Sequence, residues 1–303
     1  MIVGANVRRF CRNLCWISKK FNPTGLKSIG LRRWVVHYII LKDDTIAIIE
    51  VIPTKSQYIR IPEAIDGKSV TMLGPELCRN IKNTVTQFQL PETITAFSDN
   101  TFGYCEKLKY VNIPEQVKHI PEYCFIKCIN LRKIDLENIE TIGEQAFKEC
   151  HSLKEIKLNK IKNMDTAVFY YYANLQSVEI NSDDLEEISD GTFMRCDNLT
   201  KLKLSDNIKI IGKSSFRGCT SLSLFVGPKN LEKIKDMAFS GNQLQNIILY
   251  DKLEEIGKLS FYTLYDYPTK VTMTDETVYY SDSFSKCSEI KIIGDDNFKE
   301  KER

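Results

Sequence analysis

Residues 140–158 read ETIGEQAFKECHSLKEIKL, and the same phrase returns with variations along most of the chain. It contains a small residue, a phenylalanine, a cysteine three residues later and a leucine six residues later, followed by alternating polar and apolar residues. The phenylalanine recurs in steps of 22 to 24 residues, at Phe102, Phe125, Phe147, Phe169, Phe193, Phe216, Phe239, Phe261 and Phe284. Such a period is typical of a solenoid, because one copy cannot bury its apolar edges alone and must stack on its neighbours.

Each copy contains two short apolar patterns that predict strands. Ile156 and Leu158 lie two residues apart, so their side chains share the buried face of one strand. A second apolar pair, such as Ile139 and Ile142, leads to the next phenylalanine. We therefore expect a β-rich repeat solenoid of about ten stacked coils. A parallel sheet should cover one face, and the phenylalanine rings should form an internal spine.

The repeated phrase resembles the leucine-rich repeats of the BspA-like type, also described as the Treponema pallidum class. The motif of that family runs roughly Cys/Asn-x-x-Leu-x-x-Ile-x-Ile-Pro and then Ile-x-x-Ile-Gly-x-x-Ala-Phe, which residues 140–158 match nearly letter for letter. The resemblance covers roughly residues 45–294, with Leu77 in place of a phenylalanine in the opening coil. Leu244 lies five residues after Phe239 instead of six, so less regular coils are expected near the end.

The ends of the chain differ from the repeats in charge. The 303 residues include 42 basic and 40 acidic ones, a balance that does not favour nucleic acid as a partner. Residues 1–33, however, contain eight basic residues and no acidic one. Apolar residues of this segment fall on one helical face: Val7, Phe10, Cys11, Leu14, Ile17 and Phe21. A capping helix is the leading interpretation; a membrane-surface helix and a mitochondrial targeting segment remain open alternatives.

The remaining domain boundaries follow from the repeat. Residues 34–71 are predicted to form N-terminal strands and the opening coil, 72–294 the leucine-rich-repeat solenoid, and 295–303 a charged tail. The sequence shows neither a secretory signal nor the roughly 20 apolar residues of a membrane span. A cytoplasmic location is therefore expected, while the family resemblance keeps the cell surface open.

The ten cysteines are mostly explained by the repeat. Six of them lie three residues after a phenylalanine: Cys105, Cys128, Cys150, Cys196, Cys219 and Cys287. We expect reduced, buried thiols at these positions. A zinc site through Cys124, Cys128 and His119 lacks a fourth local ligand, so no metal or cofactor is predicted.

No catalytic motif stands out in the sequence. The GxSxG, Walker-type, HExxH and GxGxxG patterns are absent. Acidic pairs such as Glu254 and Glu255 fall between predicted strands, where charged side chains normally face water. The sequence therefore predicts a protein that is not an enzyme.

Two positions of each predicted strand are expected to point away from the core. Together with two adjacent tyrosines at an outer turn, they give the candidate partner-binding residues: Tyr110, Asn112, Lys133, Asp135, Glu155, Lys157, Tyr170, Tyr171, Ser177, Glu179, Lys201 and Lys203. Their charges are mixed, unlike a phosphate-binding groove, and suit a protein or peptide partner. We expect the main contact surface in the middle coils, residues 147–204.

The leading functional hypothesis is a non-enzymatic scaffold that binds a protein or peptide on the solenoid surface. The family resemblance implies adhesion and protein or matrix binding, and bacterial members are commonly exposed at the cell surface. One alternative is therefore an adhesin or antigen exported without a recognisable signal. Another is a membrane-associated adaptor held by the basic segment 1–33.

Overall fold

A computed structural model describes residues 26–31, 34–53, 56–263, 269–274, 277–285 and 289–292. The residues of the expected N-terminal helix, Val7 to Phe21, and the tail 295–303 lie outside this set. The described residues contain strands and turns but no helix. They form a solenoid of about ten turns with parallel sheets, which confirms the predicted fold class.

An antiparallel meander precedes the coils. It consists of β1 (Lys27–Leu31), β2 (Trp34–Ile40) and β3 (Ile46–Pro53). Strand β3 then pairs in parallel with β6 (Lys68–Leu73), which also pairs with β5 (Ala64–Ile65). Because β6 pairs in parallel with β8 (Ala96–Phe97), the meander joins directly onto the repeating coils.

The first series of coil strands comes from the Leu-x-x-Ile-x-Ile part of each copy. It comprises β4 (Tyr58–Arg60), β7 (Gln87–Gln89), β9 (Tyr110–Val111), β12 (Glu155–Leu158), β14 (Ser177–Ile180), β16 (Lys201–Lys203), β18 (Leu224–Val226), β20 (Asn246–Ile248), β22 (Lys270–Met273) and β24 (Glu289–Ile292). Strand β12 alternates between exposed and buried side chains, as the apolar alternation predicts. We call the outward side of this series the strand face.

The second series consists of two-residue strands that lead into each phenylalanine. After β8 it comprises β10 (His119–Ile120), β11 (Thr141–Ile142), β13 (Asn163–Met164), β15 (Glu187–Ile188), β17 (Ile210–Ile211), β19 (Lys233–Ile234), β21 (Glu255–Ile256) and β23 (Val278–Tyr279). The second residue of each strand, such as Ile142 or Ile234, is buried. Both series therefore contribute to one continuous core.

The phenylalanine spine forms as predicted. The nine rings from Phe102 to Phe284 are buried and stack in order, with neighbouring centroids 5.0 to 5.4 Å apart and ring planes within 13° of parallel. The last pair, Phe261 and Phe284, is as regular as the others, at 5.2 Å and 3°. The irregularity expected near the end does not reach the spine, because β20, β22 and β24 keep the coils in register.

Cysteine thiols connect successive coils inside the core. The Sγ of Cys128 donates to the carbonyl oxygen of Phe102 at 3.1 Å, and the Sγ of Cys150 does the same to Phe125. The seven described cysteines are free and buried. In the coil of Phe169 this position holds Tyr172, which is fully buried. Each of these carbonyl groups already accepts a backbone amide within its own turn, as Phe102 does from Cys105. The thiols therefore add a second hydrogen bond, from the next coil.

The first series is divided into three sheets instead of forming one continuous sheet. One break follows β9, where Tyr110 makes an isolated bridge to Lys133. On its other side β9 pairs with β7, and there the Asn112 side chain extends the contact: it accepts from the Leu90 amide at 2.7 Å and donates to the Leu90 carbonyl at 2.8 Å. Pro114 follows shortly and has no amide hydrogen to continue the ladder.

Candidate functional site

The strand face brings the outward positions of successive coils into two columns. Parallel pairing aligns Glu155 with Ser177 and Ser177 with Lys201, and it aligns Lys157, Glu179 and Lys203 in the same order. In the two earlier coils a bridge pairs Tyr110 with Lys133, which hold the same position of the repeat. These side chains are exposed or half-buried, as expected for positions that point away from the core.

Several candidate residues are already engaged by the fold. Asn112 bonds the backbone of Leu90, and Asp135 accepts a hydrogen bond from the backbone amide of Glu137 at 3.0 Å. Lys203 donates to Glu179 at 2.7 Å. This bond and the positive charge of Lys203 hold the pKa of the Glu179 carboxyl below its ordinary value. The second column is thus partly neutralised by its own contacts.

A groove runs across the beginning of the strands in four successive coils. Its volume is about 830 Å³, and it is lined by Arg132, Lys133, Ser152, Lys154, Glu155, Asn174, Gln176, Ser177, Thr200 and Lys201. We call this set the basic groove. It contains four of the candidate residues, Lys133, Glu155, Ser177 and Lys201, of which all but Lys133 lie within residues 147–204.

Tyr170 and Tyr171 lie at an outer turn and define what we call the tyrosine edge. Tyr171 is 39% exposed, and Tyr170 is half-buried. The guanidinium of Arg195 lies 5.5 Å from the centre of the Tyr171 ring, and the Lys148 ammonium lies 5.1 Å from that of Tyr170. These cation–π contacts hold the rings in place while leaving part of their surface accessible.

The basic groove and the tyrosine edge adjoin each other. His151 packs edge-on against the Tyr171 ring, with centroids 5.5 Å apart, and the next residue, Ser152, lines the groove. Three residues after Tyr171, Asn174 also lines the groove. The middle coils therefore carry a charged groove and an aromatic edge that are joined by short chain segments, through His151 and Ser152 and through residues 171–174.

Sequence reasoning missed the groove residues that precede each strand. Arg132, Lys154, Gln176 and Thr200 each lie seven residues after a spine phenylalanine, one position before the predicted outward pair. A signal was present, because Arg132 and Lys154 are basic in consecutive copies. It was missed because the expectation considered only residues within the apolar alternation.

The possible zinc ligands have other roles in the structure. The Nδ1 atom of His119 lies 2.6 Å from the Thr141 hydroxyl, and the Cys128 thiol bonds the Phe102 carbonyl. Within the described ranges, no group of three or more His, Cys, Asp or Glu side chains could hold a metal ion. Burial raises the pKa of the Cys128 and Cys124 thiols well above the ordinary value. These groups therefore stay protonated inside the core.

Comparison with known families identifies the repeat. Six copies of a family model described as BspA type leucine-rich repeat region match residues 71–191 and 186–301, which is more than half of the chain. The chain belongs to the BspA-type leucine-rich repeat family. Leucine-rich repeat proteins commonly mediate protein interaction or surface adhesion, and they are generally non-enzymatic.

The fold is similar to that of a solved leucine-rich repeat protein of Treponema pallidum, which is 24% identical, with a TM-score of 0.55 over 65% of this chain and 91% of that chain. One from Eubacterium ventriosum is 22% identical, with a TM-score of 0.49 over 70% and 50% of the two chains. A protein described as a leucine rich cell surface protein of Faecalibacterium prausnitzii is 19% identical, with a TM-score of 0.39 over 91% and 97%. No curated protein matches the sequence significantly.

Among the described residues, no helix is long and apolar enough to cross a membrane. The basic segment that was considered as a membrane-surface helix lies almost entirely outside the described residues, apart from 26–31, of which Lys27–Leu31 form β1.

Proposed function

We propose that this protein is a non-enzymatic binding protein whose middle coils, residues 147–204 with the adjoining Arg132 and Lys133, hold a protein or peptide partner. The observation that carries the proposal is that the same coils hold both the basic groove and the tyrosine edge, which are linked through His151 and Ser152. Stacking of the coils requires neither feature, since the core is already filled by the spine and the strand residues that face inward. The repeat thus leaves these outward side chains available for recognition.

The composition of this surface supports a protein partner. Binding hot spots are enriched in tyrosine and arginine and are surrounded by polar residues that add selectivity. The tyrosine edge supplies Tyr170, Tyr171 and Arg195 in mutual contact, so little side-chain freedom would be lost on binding. The rigid array of coils would keep the aromatic and charged parts at a fixed distance, which favours a specific partner.

Binding of a protein partner is compatible with a location in the cytoplasm or at the cell surface. Membership of the family favours exposure at the cell surface over the cytoplasm, because surface adhesion is common among leucine-rich repeat proteins. Labelling intact cells with a membrane-impermeant reagent distinguishes the two. A surface adhesin would be labelled before lysis, whereas a cytoplasmic scaffold would be labelled only afterwards.

A matched pair of tyrosines provides the test of the binding surface. Tyr104 occupies the same position of its coil as Tyr171, is 42% exposed and has the Lys127 ammonium 5.8 Å from its ring centre. A partner is captured with the tagged full-length chain and purified, and its dissociation constant is measured by titration. The double change Tyr170→Ala and Tyr171→Ala should weaken binding about tenfold or more, since hot-spot aromatics contribute this much.

The control variant, Tyr104→Ala, should bind within about twofold of the parent, because Tyr104 lies outside the middle coils. Circular dichroism melting curves establish that each variant is folded. Parental affinity of the folded double variant would refute the proposed surface and direct attention to residues 1–33. Equal losses in the double variant and the control would refute the restriction to the middle coils.

A further inference from the structure

The basic groove carries an excess of positive charge that its surroundings do not neutralise. Four of its ten lining residues are basic and one is acidic: Arg132, Lys133, Lys154, Lys201 and Glu155. Within the described residues, none of the four basic side chains forms an ion pair. The net formal charge of the lining is therefore 4 − 1 = +3.

Several lysines outside the groove do form ion pairs. On strand β16 itself, Lys203 pairs with Glu179 at 2.7 Å, whereas Lys201, two residues earlier, has no such partner among the described residues. Lysines of other coils also pair with the adjacent coil, as Lys162 does with Glu140 and Lys233 does with Glu255. Single lysines without an ion pair also occur elsewhere among the described residues, Lys118 and Lys157 for example. The groove differs because four unpaired basic side chains line one cavity together.

We propose that the basic groove binds an extended, acidic peptide segment of the partner; this rests on the function proposed above and specifies the partner's chemistry. Carboxylates entering the groove would meet cations whose charge is not already balanced, so complementarity favours an acidic segment. The groove crosses four coils, and three coil spacings of about 5 Å give roughly 15 Å. An extended chain covers that distance with about four or five residues.

The composition of the groove favours a peptide over a nucleic acid. A surface that follows phosphates is uniformly basic, but Glu155 lies within this groove and Glu179 lies in the next column. The amide and hydroxyl groups of Asn174, Gln176 and Ser177 also line it. Such groups can donate to carboxylates and to the backbone of an extended peptide. A short groove with one internal carboxylate therefore fits a few spaced acidic side chains.

The test uses a fluorescein-labelled peptide of about eight glutamate residues, long enough to cross the groove, and the full-length chain. Fluorescence polarisation gives the dissociation constant. The double change Lys154→Gln and Lys201→Gln should weaken binding about fivefold or more. The matched control, Lys157→Gln with Lys203→Gln, removes the same charge from the same two coils, but in the second column. It should stay within about twofold of the parent.

A gain-of-affinity variant makes the outcome independent of any loss of folding. Glu155→Gln removes the one acidic side chain of the groove and should tighten binding of the glutamate peptide about twofold to fivefold. Binding should also weaken when sodium chloride is raised from about 50 to about 200 mM, because exposed charges are screened.

Three results with the peptide probe, and a fourth with the captured partner, would overturn the inference. The first is absence of glutamate-peptide binding to the parent, and the second is equal weakening by the two lysine pairs. The third is tighter binding of oligothymidylate than of the peptide, with the same dependence on Lys154 and Lys201, which would assign the groove to nucleic acid. A partner that depends on Tyr170 and Tyr171 but is unaffected by the groove variants would refute this inference alone. The proposed function would then stand.

Discussion

The phenylalanine spine and the strand face belong to the same coils, but they differ in how strictly one copy repeats the next. In the spine, nine successive coils present the same side chain, and the rings stack at 5.0 to 5.4 Å. On the strand face, the matching column reads Lys133, Glu155, Ser177 and Lys201. A spine ring is constrained by neighbours above and below, whereas an outward side chain is not. The spine therefore determines the fold, and the strand face is free to carry recognition.

The largest expected effect is the loss of stability when one ring of the spine is removed. Phe147→Ala removes a ring that stacks at 5.1 Å on Phe125 and at 5.4 Å on Phe169. The adjacent coils hold the surrounding walls apart, so the cavity cannot close easily. The free energy of unfolding should fall by about 3–5 kcal/mol, with a loss of roughly 10 °C in the thermal midpoint.

The matched change on the strand face is Lys157→Ala in the same coil, which should alter the free energy of unfolding by less than about 0.5 kcal/mol. Thermal and denaturant unfolding of both variants measure the difference. If both changes had the same small effect, the distinction between the spine and the strand face would be wrong.

The second expected effect is on the pH dependence of stability, which the buried thiols influence. Burial raises the pKa of the Cys150 thiol from 9.0 to about 12. Between these values the unfolded chain loses a proton that the folded chain keeps, so stability is fully present below about pH 9 and falls as the pH rises. For this thiol the loss should reach about 2 kcal/mol between about pH 9 and about pH 10.5.

Denaturant unfolding at several pH values, with the parent and Cys150→Ala, measures this contribution. The variant lacks one titrating thiol, so its stability should decline less steeply above about pH 9. Parallel declines in the two proteins would show that the Cys150 thiol ionises equally in the folded and unfolded states, contrary to its burial.

The smallest expected effect is on stability, at the one spine coil in which tyrosine takes the place of the usual cysteine. Tyr172 takes the position that cysteine holds in most coils, and its buried hydroxyl lies near the Cys150 thiol without a hydrogen bond of ordinary geometry. Because a thiol is a weak partner, Tyr172→Phe removes a poorly satisfied buried group and should raise the free energy of unfolding by about 1 kcal/mol. The control is Tyr38, which is also buried but donates to the Asp66 carboxylate at 2.8 Å. Tyr38→Phe should destabilise the protein; a loss of stability in both variants would contradict the account.

The fold could be predicted from the sequence because burial repeats with the period of the coil. Each spine phenylalanine, the thiol position three residues later and the alternation around Ile156 reflect contacts that every coil makes with its neighbours. The same periodicity identified the outward positions, and the structure aligns Glu155, Ser177 and Lys201 in one column.

The site was only partly accessible from the sequence. The groove depends on residues before the strands, such as Arg132 and Lys154, whose exposure follows from the path of the turn and not from an apolar alternation. Asn112 was a predicted binding residue, but its side chain bonds both backbone groups of Leu90 in the preceding coil. An asparagine at an outward position carries no sequence signal for that role, because exposed asparagines are common there.

Site-specific photo-crosslinking of the purified partner tests the central claim most directly. A benzophenone amino acid is placed at Gln176, in the basic groove, or at Asn163, which is exposed on β13 in the second series of strands. Both positions lie in the middle coils, so the two proteins differ only in the surface that carries the probe. The account predicts that the partner is crosslinked from position 176 and not from position 163. Crosslinking from position 163 alone, or equally from both, would contradict it.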